Sequence, residues 1–292
     1  MKHKITIILI LLGMFLVTQF IGLYVVNHYS QNTLPYGMDP PKDIDPVSFF
    51  PSIIIAFIIA IALFFLLTKF KVEFILKLWF FVVIVLALGI SINSFLPKFQ
   101  YLPVIALIIA LPFALIKVFN RNILVHNTTE LFIYPGIAAI FVPLLNIWTM
   151  ILLLILISVY DMWAVWKSKI MQKMAKYQIN TLKIFSGFFI PYLSKKQGQM
   201  IRNLKDKKSK LNKKKIKVNV AILGGGDVIF PIIAGGVMLK TLGIWSAIFV
   251  ILGAALGLTY LLFFSEKKKF YPAMPYITAG IFLGMLVSVI LF

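Results

Sequence analysis

Nine stretches of about twenty apolar residues recur along the chain, and a run of that length is what a helix rising 1.5 Å per residue needs to cross roughly 30 Å of hydrocarbon. They lie near 5–26, 49–68, 73–96, 101–119, 124–144, 147–166, 218–239, 243–264 and 271–291 of the 292 residues. With 61% of residues hydrophobic and 13% charged, a water-soluble globule is excluded, because its interior could not hide that much nonpolar area, whereas a bilayer-embedded chain presents it to lipid. The reading is an all-α membrane protein with nine transmembrane helices. The first stretch follows Met1-Lys2-His3-Lys4 as in a signal peptide, yet it stays apolar to Val26 with no small-x-small site after it, and so reads as a retained span. In the fifth, Asn127, Thr128, Thr129 and Glu130 interrupt the run, so a start near Leu131 is the alternative to one at 124.

Orientation follows from the loops. From Lys167 to Lys217 there are sixteen Lys or Arg against one acid, Asp206, which places this connection in the cytoplasm. Counting back six spans puts the N-terminus inside with Lys2 and Lys4, together with Lys69, Lys71, Lys77, Lys117, Arg121 and Lys267-Lys268-Lys269. The loop with Asp39, Asp43 and Asp45 falls outside, as do Lys42, Lys98, Lys240 and the C-terminal Phe292. The chain thus divides into a six-helix part (1–166) ending in a Tyr-Asp pair, a basic cytoplasmic loop (167–217) and a three-helix part (218–292).

The net charge of +20 invites nucleic acid as a partner, but Lys205 to Lys217 has no aromatic side chain for bases to stack on. No nucleic-acid partner is expected; the loop reads as a solvated linker drawn to anionic lipid headgroups. Upstream, Ile184, Phe185, Phe188, Phe189, Ile190, Tyr192 and Leu193 form an apolar cluster around Pro191 that is too short to span and is expected to lie in the membrane interface. The absence of cysteine removes disulfide scaffolds, thiol catalysis and thiolate metal sites. His3, His28 and His126 are too scattered for a metal cluster, no Walker or dinucleotide motif is present, and no cofactor is expected.

The chain has nine acids. Once Asp39, Asp43, Asp45, Glu73, Glu130, Asp206 and Glu266 are assigned to loops or helix ends, Asp161 and Asp227 remain inside the apolar spans. A carboxylate in hydrocarbon costs about 2.5–3.5 kcal/mol even on the lenient insertion scale, so such residues mark functional sites. Asp161 lies six residues before Lys167 and Asp227 ten after Lys217, so both sit at a shallow cytoplasmic depth where two adjacent spans can bring them together. Like carboxylates in a low-dielectric site share one proton, the arrangement by which an aspartic protease draws a proton from water and polarises a scissile carbonyl. Gly224-Gly225-Gly226 before Asp227 removes side chains that would hold another backbone away. Tyr160 precedes Asp161, and Pro272-Ala273-Met274-Pro275 opens the ninth span at the same depth.

Together, Ile157-Ser158-Val159-Tyr160-Asp161, Gly224-Gly225-Gly226-Asp227 and Pro272-Ala273-Met274-Pro275 resemble the motifs of the presenilin and signal peptide peptidase family. The resemblance implies an intramembrane aspartyl protease with Asp161 and Asp227 catalytic. It also implies that Tyr160, Gly224, Gly225, Gly226, Pro272, Ala273, Met274 and Pro275 shape the site. Met274 stands where the family has Leu, and Pro231 resembles the signal peptide peptidase branch, while the inferred orientation is presenilin-like. The set covers the C-terminal half; the compact, cysteine-free chain is most similar to a microbial, archaeal member, placed in that cell's membrane. Expected substrates are single-span or signal-peptide-like proteins. A proton- or cation-coupled transporter could also use two intramembrane aspartates, a prepilin-type peptidase also carries a Gly-x-Gly-Asp element, and a solely structural membrane protein is a further alternative. Finally, Val218, Val220 and Ile222 alternate with Asn219, Ala221 and Leu223. That is a strand pattern leading into Gly224, a possible docking edge for unwound substrate; the first turn of the seventh span is the alternative.

Overall fold

The computed structural model describes residues 5–40, 45–69, 73–97, 99, 101–120, 122–167, 177, 184–192, 219–266 and 271–291. Six helices come first: α1 (Ile5–Gln31), α2 (Pro46–Lys69), α3 (Glu73–Phe95), α4 (Leu102–Phe119), α5 (Ile123–Phe141) and α6 (Ile147–Met162). Two strands follow, β1 (Gly187–Tyr192) and β2 (Asn219–Gly224), and then α7 (Gly225–Leu242), α8 (Ile244–Phe264) and α9 (Met274–Leu291). Seven of these helices are long and apolar enough to cross a membrane; α2 carries a shorter apolar stretch and α5 is the more polar exception.

Local chemistry sets the helix ends. Asp45 accepts hydrogen bonds from Ser48 and from the Val47 amide at the start of α2, which hold its exposed carboxyl below the usual carboxylate range. Asp39 accepts from the Leu34 amide at 2.6 Å; these two loop acids serve as local caps. Asn146 and Thr149 form a reciprocal capping box at the start of α6. Gly243, at φ 92°, turns α7 directly into α8, a conformation that side chains with a Cβ rarely adopt.

Two regions differ in detail from the sequence reading. The fifth helix begins at Ile123, as the span from 124 requires and the alternative start near Leu131 does not, because Asn122 caps it by accepting from the amides of Leu124 and Val125. Its polar residues are then helical, and Glu130 is not at a helix end: it is 1% exposed and ion-paired with Lys117 of α4 at 2.6 Å. The cluster around Pro191 is too short to span, as expected, and is a strand. It forms β1, antiparallel to β2, with Phe188 fully buried in the central core. The seventh span accordingly starts at Gly225 rather than 218, since its first residues form β2. The all-helical expectation therefore needs this two-stranded sheet added. Val218, Leu193 and most of the basic connection fall outside the described residues.

The main core lies where α1, α5, α6, α7, α8, α9 and the sheet meet, filled by Phe15, Met150, Leu154, Phe188, Ile232 and Leu258 among others. The closest helix pair is α8 with α9. A Cβ on Gly253 would overlap the carbonyl oxygen of Gly280, and one on Gly284 would overlap that of Phe249, so glycines on both helices let the backbones touch. This contact fixes α9, whose N-terminus reaches the carboxyl of Asp161. Gly280→Leu is therefore expected to destabilise the protein by about 1–3 kcal/mol through overpacking, seen as a lowered Tm in detergent micelles, whereas Leu283→Ala on the exposed face of α9 should leave Tm almost unchanged.

Candidate active site

Asp161 lies in the last turn of α6, just before a π-helical turn at Trp163–Lys167. Its carboxyl is met by the start of α9. Ala273 caps that helix, its carbonyl accepting from Ile277, so the Met274 amide has no partner within the helix and donates to Asp161 Oδ2 at 3.1 Å. The Ala273 amide donates to the same carboxyl. The two prolines explain why the chain is built this way: Pro275, at the second helical position, lacks an N–H that the helix would not have used, and Pro272 ends the incoming loop. The positive end of the α9 dipole thus faces a carboxylate. A second bond between the same helices, Ser158 Oγ to Thr278 Oγ1 at 2.8 Å, is buried one turn farther along each.

Asp227 occupies the third position of α7, and its carboxyl accepts the amide of Gly224, the residue that caps the helix. Pro231 has no N–H to offer the carbonyl of Asp227 one turn back. On the adjacent carbonyl, Val228 O, the fully buried Gln19 of α1 donates at 3.0 Å. The carboxyls of Asp161 and Asp227 lie near enough for their charges to interact. Among the described residues neither is paired with a cation. Each acid therefore meets backbone amides at a helix N-terminus.

The three glycines differ. A Cβ on Gly224 would press on Asp227 Oδ2 at 3.1 Å. One on Gly225 would meet Ser186 Oγ at 2.6 Å and Tyr134 Oη at 2.7 Å, while one on Gly226 finds only Phe230 at 3.7 Å, an ordinary contact. Gly187, opposite Gly224 in the sheet, has φ 133° and backs onto the Leu223 carbonyl. Of the other expected residues, Pro272 and Met274 are buried and Ala273 and Pro275 half-buried beside Asp161. Tyr160 is at the surface, 37% exposed, its ring tilted against Trp163. Val220 is half-buried and Ile222 is 42% exposed, on the open face of β2, whereas Ala221 and Leu223 face the core. The sequence singles out none of Thr278, Gln19, Tyr134 and Ser186, and Ser158 only as part of the Tyr-Asp motif. For Ser158 and Thr278 the signal was present, since each lies three or four residues from a motif residue on its own helix. Among the described residues no three metal-binding side chains converge.

A family model described as signal-peptide peptidase, presenilin aspartyl protease matches residues 12–292. The chain belongs to that family. It is an aspartic endopeptidase of the intramembrane-cleaving kind and an integral, multi-pass membrane protein, which sets aside the transporter and prepilin-type readings. Two solved structures described as a presenilin family intramembrane aspartate protease, in C222 and P2 space groups, match with a TM-score of 0.63 at 18% and 20% identity. The first covers 98% of this chain and 99% of its own, the second 97% of each; at such identity the likeness establishes the fold. No curated protein matches the sequence.

The crowding at the glycines makes a local prediction for the protease. Gly225→Ala forces Tyr134 and Ser186 away from the start of α7 and is expected to lower turnover of a transmembrane substrate at least about tenfold, whereas Gly226→Ala should stay within about threefold of the parent. Both are measured by mass spectrometry of the products, with Tm as a check on folding.

Proposed function

We propose that Asp161 and Asp227 are the catalytic pair of this protease and that they act on transmembrane helices unwound beside β2. The observation that carries the first part is the meeting of two buried carboxyls from α6 and α7, each held by helix N-terminal amides and within reach of the other's charge. Such a pair keeps one proton between them. The Met274 amide donates to Asp161 Oδ2, so the negative charge is placed on Asp161. That carboxylate takes a proton from water as its oxygen attacks the scissile carbonyl. Asp227 donates its proton to the carbonyl oxygen; as the resulting gem-diol collapses, Asp161 passes the proton it took from water to the leaving amine and a hydroxyl returns one to Asp227. The motif residues Gly224, Gly225, Gly226, Pro272, Ala273, Met274 and Pro275 position these carboxyls, and Tyr160 borders them.

The geometry of the sheet supports the second part. Opposed residues of an antiparallel pair alternate between those that exchange both hydrogen bonds and those whose N–H and C=O point away from the partner strand. Phe189 directs both groups to the side chain of Asn127, so the pair Phe189–Ile222 is of the second kind, as by alternation are Gly187–Gly224 and Pro191–Val220. Three facts agree: the Gly187 carbonyl bonds to His126, Pro191 has no N–H, and the Gly224 amide serves Asp227. Val220 and Ile222 therefore present their N–H and C=O at the outer edge of β2, where an extended peptide can add as a strand and run towards Asp227. Val218, the third residue of this docking stretch, lies outside the described residues.

The same proposal takes nine spans, with α2 and α5 completing the set, the N-terminus cytoplasmic and the C-terminus outside, as the distribution of Lys and Arg requires. It divides the chain at 1–166, 167–217 and 218–292, with the basic loop against anionic headgroups of a microbial cell membrane. Single-span or signal-peptide-like proteins are the substrates.

Asp161→Asn and Asp227→Asn are each expected to abolish cleavage of a single-span peptide by purified protein while leaving Tm within a few degrees, since neither variant can act as acid and base together. Full turnover by either would end the two-aspartate assignment. The parent rate should pass through a maximum with pH, falling at low pH as the base is protonated and at high pH as the shared proton is lost. Val220→Pro tests the docking strand separately. It removes an outward N–H and leaves the bonds to β1 in place, so cleavage of the transmembrane substrate should fall at least about tenfold while a small inhibitor directed at the two carboxyls binds as before.

A further inference from the structure

A two-stranded sheet has two outer edges, and only the edge of β2 leads to Asp227. The edge of β1 is covered by side chains of α5. Asn127 does what a neighbouring strand would do: its Nδ2 donates to the Phe189 carbonyl at 3.0 Å and its Oδ1 accepts from the Phe189 amide at 3.0 Å. Two residues along, His126 Nε2 reaches the Gly187 carbonyl at 2.8 Å. At Pro191 there is no N–H to cover. The Gly187 carbonyl and both main-chain groups of Phe189 are thus met by one α-helical turn.

The histidine is held in the state this requires. Lys117 of α4 places Nζ 3.2 Å from His126 Nδ1 and 2.6 Å from Glu130 Oε1. An ammonium has only donors, so Nδ1 must accept, Nε2 must carry the proton, and the Gly187 carbonyl receives it. Glu130, one turn above His126, neutralises Lys117 with both side chains almost fully buried. This ion pair is far from idle packing: removing either partner would strand a buried charge, and its donors orient the ring that covers β1.

We propose that Asn127 and His126 serve as a surrogate third strand on β1, positioning residues that leave β2 as the single edge on which an unwound substrate can pair. The proposal rests on the docking role of β2. An extended segment has no means of telling one free strand edge from another by main-chain bonding alone, so a protease with one productive edge must close the other. Asn127 closes it with one donor and one acceptor at the spacing of a peptide group.

The test uses the full-length protein in nanodiscs with a single-span peptide substrate, and benzoylphenylalanine in place of Phe189 on β1 or of Ile222 on β2 as a photo-crosslinking probe. Side chains on adjacent strands lie close enough to report pairing. With Asn127 intact, substrate should be captured from position 222 and not from 189. In the Asn127→Ala background it should be captured from both, and KM should rise about fivefold as unproductive pairing competes, with kcat within about twofold. Asn127→Asp keeps the acceptor for the Phe189 amide and loses the donor, so it should fall between the two; if the alanine variant does not fold, the aspartate variant carries the same readings. A merely structural role for Asn127 would instead lower kcat and inhibitor binding together. The proposal is overturned if Asn127→Ala leaves capture confined to position 222 with KM unchanged. Cleavage that continues with no capture from either position would overturn the docking reading of β2 and this proposal with it, whereas capture from 222 that is indifferent to Asn127 overturns this proposal alone.

Discussion

A carboxylate can be kept in an apolar interior only if something replaces the water it leaves, and here backbone amides at helix N-termini do so for both acids. The first-turn amides of a helix have no carbonyl to bond to inside it. Aimed at an anion, they supply donors and the positive end of a dipole without introducing a cation that would lock the acid into a salt bridge. For Asp161 those amides belong to another helix, α9, through Met274 and Ala273. The position of α9 is in turn set by the glycine contacts of Gly253, Gly257, Gly280 and Gly284 and by the Ser158–Thr278 bond. The fold of the last three helices can be read as the support of one amide-to-carboxylate contact.

For Asp227 the donor comes from its own helix, and the requirement shifts to how the chain enters that helix. Gly224 must be extended, must place its amide on the third residue, and must end a strand rather than continue a helix. The sheet enforces this, because β2 pairs with β1 residue by residue up to Gly224, opposite Gly187. The carboxyl on α7 therefore depends on a strand pairing as well as on its own helix.

Much of this was legible from residue order. The apolar runs marked the helices, because length and composition suffice for a span. Asp161, Asp227 and the Pro-Ala-Met-Pro stretch stood out because charge and proline are rare there, and the alternation of Val220 and Ile222 with Ala221 and Leu223 marked β2. The polar break in the fifth run left the start of that helix open between 124 and Leu131 for a physical reason. Asn127 and Glu130 look like loop residues while their partners are unknown, and those partners, Phe189 and Lys117, lie 62 and 13 positions away. His126, Glu130 and Tyr134 do recur at helical spacing, which was the available sign of a continuous helix with one polar face. Nothing local marked Gln19, whose bond to Val228 spans 209 positions.

The sheet also constrains where water can be. Unpaired N–H and C=O groups cannot face hydrocarbon without a cost of several kcal/mol each, and the outer edge of β2 presents such groups at Val220 and Ile222 beside a half-exposed Ile222 side chain. That edge must be solvated whenever no substrate covers it. Water is also the second reactant of the hydrolysis, and the edge ends at the residue whose amide holds Asp227. On the proposed docking reading, the edge that takes an unwound peptide, to which no described residue bonds, also keeps water next to the carboxyls, so substrate capture and water supply would follow from the same backbone groups.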